Sequence, residues 1–192
     1  MRAYSDEQVI EQCKKGSPEA FAELVRRHQG TVYSLCYRMT GNAVEAEDLA
    51  QEAFWRVYQG LGTFRRGARL RPWLHRLTAN VCLDALRKRK PAMLPLEEAI
   101  GGASEPQTPH GEESPEQAYL RGEERLDVQQ ALLHLPGEYR IVLVLRYLEE
   151  LSYREIAETL NVPVSTVETR IYRAKKMLSE VLSPVEGGKR GT

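Results

Sequence analysis

The densest run of side chains suited to recognition lies between Leu151 and Leu178, LSYREIAETLNVPVSTVETRIYRAKKML. Ser165, Thr166, Thr169, Arg170, Arg173 and Lys176 share one face at helical spacing. Opposite them Val167, Ile171, Ala174 and Leu178 recur as an apolar stripe. A short-polar, basic front on such a helix suits a DNA major groove. Arginine bonds guanine through two parallel donors, and lysine neutralises phosphate. A plain helical hairpin with a solvated face shows the same periodicity, so the rest of the chain has to discriminate.

A second set lies between Phe64 and Lys90. Nine bases (Arg65, Arg66, Arg69, Arg71, Arg76, Arg87, Lys88, Arg89, Lys90) stand there against one acid, Asp84. Arg76, Asn80, Leu83, Arg87 and Lys90 form a stripe along a helix predicted to start at Pro72. Asn80 sits mid-stripe, where one donor and one acceptor can read a base edge. The preceding loop, GLGTFRRGARLR, combines glycines, arginines and one aromatic, Phe64. A loop of this make can follow a phosphate backbone and stack an unpaired base; the bland alternative is a solvated linker with a half-buried Phe.

A third set is not basic. A helix predicted near residues 43–60 turns Ala46, Leu49, Ala50, Ala53, Phe54 and Val57 inward. Asp48, Gln51, Glu52, Trp55 and Gln59 fall on its other side. Tryptophan beside acids either anchors a protein partner or packs on a neighbouring helix.

The elements that must position these groups are helical throughout. Ser152 with Glu155, and Ser165 with Glu168, both fit the S-x-x-E capping box. Asn161 and Pro163 lie between them, which predicts helices over 153–160 and 165–180 joined by a tight turn. Ser5 with Gln8, and Ser17 before Pro18, read as helix starts. Two apolar runs follow, Phe21 to Val25 and Thr31 to Met39, closed by Gly41-Asn42. Residues 120–148 return to helix. The run Ile141 to Leu145 has strand-like composition, but its flanks are helical and helix is expected.

Between these halves, residues 91–119 carry five prolines, six Glu and no Lys or Arg. They read as a flexible acidic linker able to imitate nucleic acid. Residues 185–192 read as a frayed tail. The expected fold is therefore all-α, two small helical domains (1–90 and 120–184) joined by that linker. The net charge of zero, from 27 basic and 27 acidic side chains, hides the basic block beside the acidic one. Cys13, Cys36 and Cys82 form no CxxC, and the four histidines show no metal spacing. No nucleophile–base pair or phosphate-cradling glycine loop is present, so neither an enzyme nor a cofactor or metal site is expected. No apolar run reaches membrane-spanning length and the first residues lack a signal peptide's apolar core, which points to the cytoplasm.

In this order, AEDLAQEAFWRVY (46–58), PWLHRLTANVCLDALRKRK (72–90) and LPGEYRIVLVLRYLEELSYREIAETLNVPVSTVETRIYRAKKML (135–178) resemble the bacterial extracytoplasmic-function sigma factors. The resemblance implies a dissociable initiation subunit of core RNA polymerase. Asp48, Gln51, Glu52, Phe54 and Trp55 match the segment that docks on the polymerase. Phe64 and its loop match the part that takes a flipped minus-ten base. Asn80 matches a position that reads that element, and Arg76, Arg87 and Lys88 match its backbone contacts. Thr166, Thr169, Arg170, Tyr172 and Arg173 match the helix that reads the minus-thirty-five element. An anti-sigma partner is implied, holding a free state in which the two domains pack together and mask their basic faces. The chain departs from the family at Glu168, where Lys or Arg is frequent; Glu168 either caps the helix or accepts from a cytosine amino group. Two rival readings are a stand-alone helix-turn-helix regulator and a helical adaptor for RNA or acidic proteins.

Overall fold

The computed structural model describes residues 4–65, 67–89 and 128–182. The linker 91–119, the tail 185–192, Arg66 and Lys90 lie outside the described residues.

The first half is four helices. α1 (Asp6–Lys14) opens on the expected capping box: Gln8 N–H donates to Ser5 Oγ and Ser5 N–H to Gln8 Oε1. α2 (Pro18–Thr40) starts from Ser17 with Pro18 in its first turn, where a missing N–H leaves no bond unmade. It continues unbroken through Gly30, so the two apolar runs are one helix and not two. It stops at Gly41, whose φ of 69° is left-handed. α3 (Ala43–Gly60) is capped by Asn42, whose Oδ1 accepts from Glu45 N–H at 3.0 Å. A short 3-10 turn, Leu61–Thr63, leads through the loop to α4 (Leu70–Lys88). α4 begins two residues before Pro72, which is tolerated because first-turn N–H groups have no intrahelical acceptor.

The second half opens with α5 (residues 128–133). α6 (Gly137–Leu143) widens into a π turn, Val144–Leu148, so the strand-like apolar run is helical as expected. Glu149 N–H then donates to Val144 O and Leu151 N–H to Leu145 O. Glu150 takes up the reversal at φ 57°, a conformation that strains a non-glycine residue. Glu150→Gly is therefore expected to stabilise the protein by up to about 1 kcal/mol in urea unfolding, the left-handed penalty less glycine's entropy cost. A loss of stability would show that the glutamate side chain itself holds the turn.

α7 (Tyr153–Leu160) carries the full Ser152–Glu155 capping box, and Asn161 ends it in the left-handed region. α8 (Val164–Leu182) follows. Here the second expected box is corrected. Pro163 O accepts from Thr166 and Val167 N–H, so the helix starts at Val164 and Ser165 lies inside its first turn. No Ser165–Glu168 bond occurs among the described residues. The proline carbonyl supplies the acceptor that a serine cap would have supplied.

The two halves share one core. Leu35, Cys36, Met39, Val81 and Cys82 of the first pack with Leu132, Leu135, Ile141, Leu145, Ile156 and Ile171 of the second. A smaller core under α1 holds Val9, Ile10, Leu24, Val57, Leu61, Phe64 and Leu74. Fit at the junction is close: a Cβ on Gly41 would lie 2.2 Å from Leu133 Cδ1. Arg140 is buried at the junction and donates to the carbonyls of Met39, Leu133 and Leu135. Among the described residues no helix is long and apolar enough to cross a membrane.

Candidate functional site

Three surfaces carry the side chains singled out in the sequence. On α8 the apolar stripe buries Val167, Ile171 and Ala174 against the domain core. This sets Ser165, Thr169, Arg173 and Lys176 in solvent, with Thr166 half-buried beside them. Tyr172 is 73% exposed on this helix. The Thr169 hydroxyl donates back to Ser165 O at 2.9 Å. Arg170 reaches Glu138 Oε2 at 3.1 Å and, among the described residues, is the one member of the set paired to a carboxylate. The front is polar, largely unpaired and backed by a rigid helix, as a major-groove reader must be. Glu168 is exposed and, with the helix starting at Val164, is free of any capping duty.

On α4, Leu74, His75, Thr78, Ala79, Val81 and Cys82 turn inward. Arg76, Asn80, Arg87 and Lys88 are thereby exposed. Arg87 Nη1 lies 3.4 Å from Asp84 Oδ1, whereas Asn80 has no partner among the described residues. The loop ahead of α4 differs from expectation at one residue. Phe64 is 5% exposed, its ring edge-on to Trp73 at 4.9 Å between centroids. Lys14 Nζ donates to its carbonyl at 2.7 Å. Phe64 therefore presents no open face for a stacked base. A single aromatic in a Gly/Arg loop reads as exposed, but α1 and Trp73 complete a small core around it. Beside it opens a cleft of about 640 Å³, walled by Thr63, Arg65, Arg69, Trp73 and Arg76 from the first domain and Glu158 and Thr159 from α7.

The third surface lies on α3. Asp48, Gln51, Glu52 and Trp55 are exposed, Trp55 at 56%. Of its two readings, packing on a neighbouring helix is not realised: the indole stands in solvent, stacked on Tyr58 at 6.0 Å and 18°. Tyr58 in turn takes Phe21 edge-on at 5.1 Å. Together with Val25, Gly30, Tyr33 and Ala50 these rings line a groove of about 760 Å³ between α2 and α3, with Glu47 and Gln51 on its wall. Phe21, Tyr33 and Tyr58 were not legible as surface residues, because their spacing is equally that of core positions. Glu52 is tied to Arg56 at 2.9 Å.

A groove walled by aromatics and acids, a basic helix and a helix-turn-helix on one chain match a known pattern. The family description Sigma-70 region 2 matches residues 24–91, and Sigma-70, region 4 matches residues 125–178. The chain is 42% identical over 178 residues to the ECF RNA polymerase sigma factor SigW of Bacillus subtilis, covering 90% of this chain and 94% of that one. The chain belongs to the extracytoplasmic-function sigma factors. The ECF RNA polymerase sigma-E factor of Escherichia coli K12 is 33% identical over 190 residues, covering 94% and 96%. Among solved structures, CnrH in complex with the cytosolic domain of CnrY is similar at a TM-score of 0.63 and 28% identity, covering 92% of this chain and 96% of that chain. As an alternative sigma factor the protein binds core RNA polymerase and directs promoter-specific initiation; it is not an enzyme. Region 2 takes in most of α2 and all of α3 and α4, and region 4 takes in α5 to α7 and most of α8.

Proposed function

We propose that the three surfaces divide the work of this sigma factor between them. The α2–α3 groove, with Asp48, Gln51, Glu52 and Trp55, docks on core polymerase. The exposed face of α4 takes the minus-ten element, Asn80 reading a base edge while Arg76, Arg87 and Lys88 hold phosphates. The cleft beside Trp73 receives an unstacked base, with Phe64 as part of its floor and not as a stacking plate. Ser165, Thr166, Thr169, Arg170, Tyr172, Arg173 and Lys176 of α8 read the minus-thirty-five element. The functional units are residues 1–90 and 120–184, tethered by 91–119, so that each reader raises the local concentration of the other. The protein works in the cytoplasm, where polymerase and promoters are. CnrH is seen with the cytosolic domain of CnrY, which supports control of this chain by an anti-sigma protein.

The observation that carries this reading is the opposed chemistry of the first domain. One face exposes Trp55 and Tyr58 beside acids, and another exposes Arg76, Asn80 and Lys88, which have no ion-pair partner among the described residues. A stand-alone DNA binder has no use for the first face. Runoff transcription with purified core polymerase tests it: a specific start dependent on the chain is expected, and DNA binding without any start would favour the stand-alone regulator. In the same assay Asn80→Ala should lower minus-ten-dependent initiation by about tenfold, the discrimination of one good base contact, with core binding unchanged. Loss of core binding in that variant would place Asn80 on the docking face instead.

A further inference from the structure

The first two turns of a recognition helix are the part that reaches base edges. On α8 their side chains are unequally placed for it. Val167 is buried in the core. Thr169 donates its hydroxyl hydrogen to Ser165 O at 2.9 Å. Arg170 leans off the front to Glu138 Oε2 at 3.1 Å, its side chain 25% exposed. Glu168 is exposed, on the side of Ser165 one turn before it and Tyr172 one turn after it, both exposed as well. The helix itself does not account for a carboxylate there. Pro163 O takes the N–H groups of Thr166 and Val167. With the helix starting at Val164, Glu168 lies past the first turn, in which orphan N–H groups and the dipole favour an acid. Its neighbours one turn away on α8 are Val164, Ser165, Ile171 and Tyr172, none of them a cation. Lys175, two turns on, lies over the Tyr147 ring at 5.1 Å.

We propose that Glu168 is a specificity-determining residue of this sigma factor, selecting a cytosine in the minus-thirty-five element through the cytosine N4 amino group. Given the assignment of α8 to that element, on which this role depends, the second turn of the helix faces phosphates on the groove walls and base edges on its floor. The phosphates repel a carboxylate. An ionised carboxylate has acceptors only, so guanine O6 and N7 and thymine O4, acceptors themselves, repel it too. Two amino groups remain. Adenine N6 is flanked by acceptors on both sides, its own N7 and the O4 of the paired thymine. Cytosine N4 has an acceptor on one side only, the O6 of the paired guanine, and a C–H on the other. Cytosine is therefore the base that Glu168 fits. At every site without that cytosine the same charge weakens α8, so the selection works by exclusion as much as by attraction.

The test uses the full chain with core RNA polymerase on a library of linear duplexes randomised through the promoter region. Templates that give starts are sequenced for the parent, Glu168→Gln, Glu168→Ala and Arg173→Ala. In the parent, one position of the upstream element should carry C, on one strand or the other, about tenfold above the remaining bases, the discrimination of one good contact. Glu168→Gln should turn the preference at that position alone to A, since glutamine bonds adenine N6 and N7 together. Glu168→Ala should level it to within about twofold, since alanine makes no polar contact with a base edge. A tighter hold on random-sequence duplex with every base preference unchanged would show a carboxylate that only repels phosphate, and overturns the proposal. If Arg173→Ala alters the upstream preferences and neither Glu168 variant does, the cytosine contact is wrong and α8 remains the reader. If none of the variants alters them, the assignment of α8 falls and the contact falls with it.

Discussion

Trp55→Ala is expected to weaken binding of the full chain to core RNA polymerase by about 2–3 kcal/mol, roughly a 30- to 150-fold rise in Kd. The indole is more than half exposed and stacks on Tyr58. It forms one wall of the α2–α3 groove, whose opposite side is Phe21, Val25 and Tyr33. A large apolar ring on the wall of a groove that also carries Glu47 and Gln51, with Asp48 and Glu52 exposed on the same helix, has the anatomy of an interface anchor. Its truncation should leave the fold alone: urea unfolding should shift by less than about 0.5 kcal/mol, since the side chain contributes little to either core. Val44→Ala serves as the comparison. Val44 is 70% exposed at the start of the same helix but does not line the groove, so its loss should leave Kd nearly unchanged. If Trp55→Ala binds core polymerase as the parent does, the docking face lies elsewhere. If both variants weaken binding equally, the contact is spread along α3 and is not centred on the groove.

What could be read beforehand followed local chemistry. Ser5, Ser17 and Ser152 sit where their hydroxyl oxygens satisfy first-turn N–H groups, and a cap is a matter of four consecutive residues; Asn42, read as the end of α2, instead caps α3. The faces of α3, α4 and α8 followed from periodicity. Where a distant segment intervenes, local reading fails. Phe64 is buried because α1, fifty residues away through Lys14, closes over it. Ser165 fits the capping pattern, yet Pro163 O already serves the N–H groups of that turn. The apolar runs Phe21 to Val25 and Thr31 to Met39 read as two, but α2 passes through Gly30 as one helix. The packing of the two domains was expected to mask both basic faces. In the structure Glu149 and Glu155 meet the loop and first turn of α4, because the domain presents α7 and not α8 to region 2. Arg140 and Glu149 lie in stretches whose local pattern gives no sign of partners, and Met39 O for Arg140 and the Arg71 guanidinium for Glu149 come from the other domain.

Arg140→Ala is expected to destabilise the protein by about 2–4 kcal/mol, the cost of stranding several buried acceptors at once. The guanidinium is 7% exposed and has no carboxylate partner among the described residues. Burial holds its pKa down to about 10, with Arg89 a lesser contribution, so removing the charge also removes a desolvation penalty. The two effects oppose each other, and geometry decides between them. Nη2 donates to Leu133 O at 2.7 Å and Leu135 O at 2.9 Å, and Nη1 donates to Met39 O. Met39 O belongs to the last turn of α2, where carbonyls run out of intrahelical donors and carry the negative end of the helix dipole. Leu133 and Leu135 flank the turn into α6. One planar fork therefore closes a helix end in region 2 and a turn in region 4 together, which no single ammonium can do. Arg140→Lys should accordingly recover less than half of the loss. The denaturation midpoint in urea gives the magnitude, and the shape of the transition gives the mechanism. If Arg140 couples the domains, the variant's unfolding should broaden or separate into two steps where the parent shows one. A stability change within about 0.5 kcal/mol would mean that water replaces the fork at all three carbonyls. A large loss with a single unchanged transition would confine Arg140's role to the turn before α6.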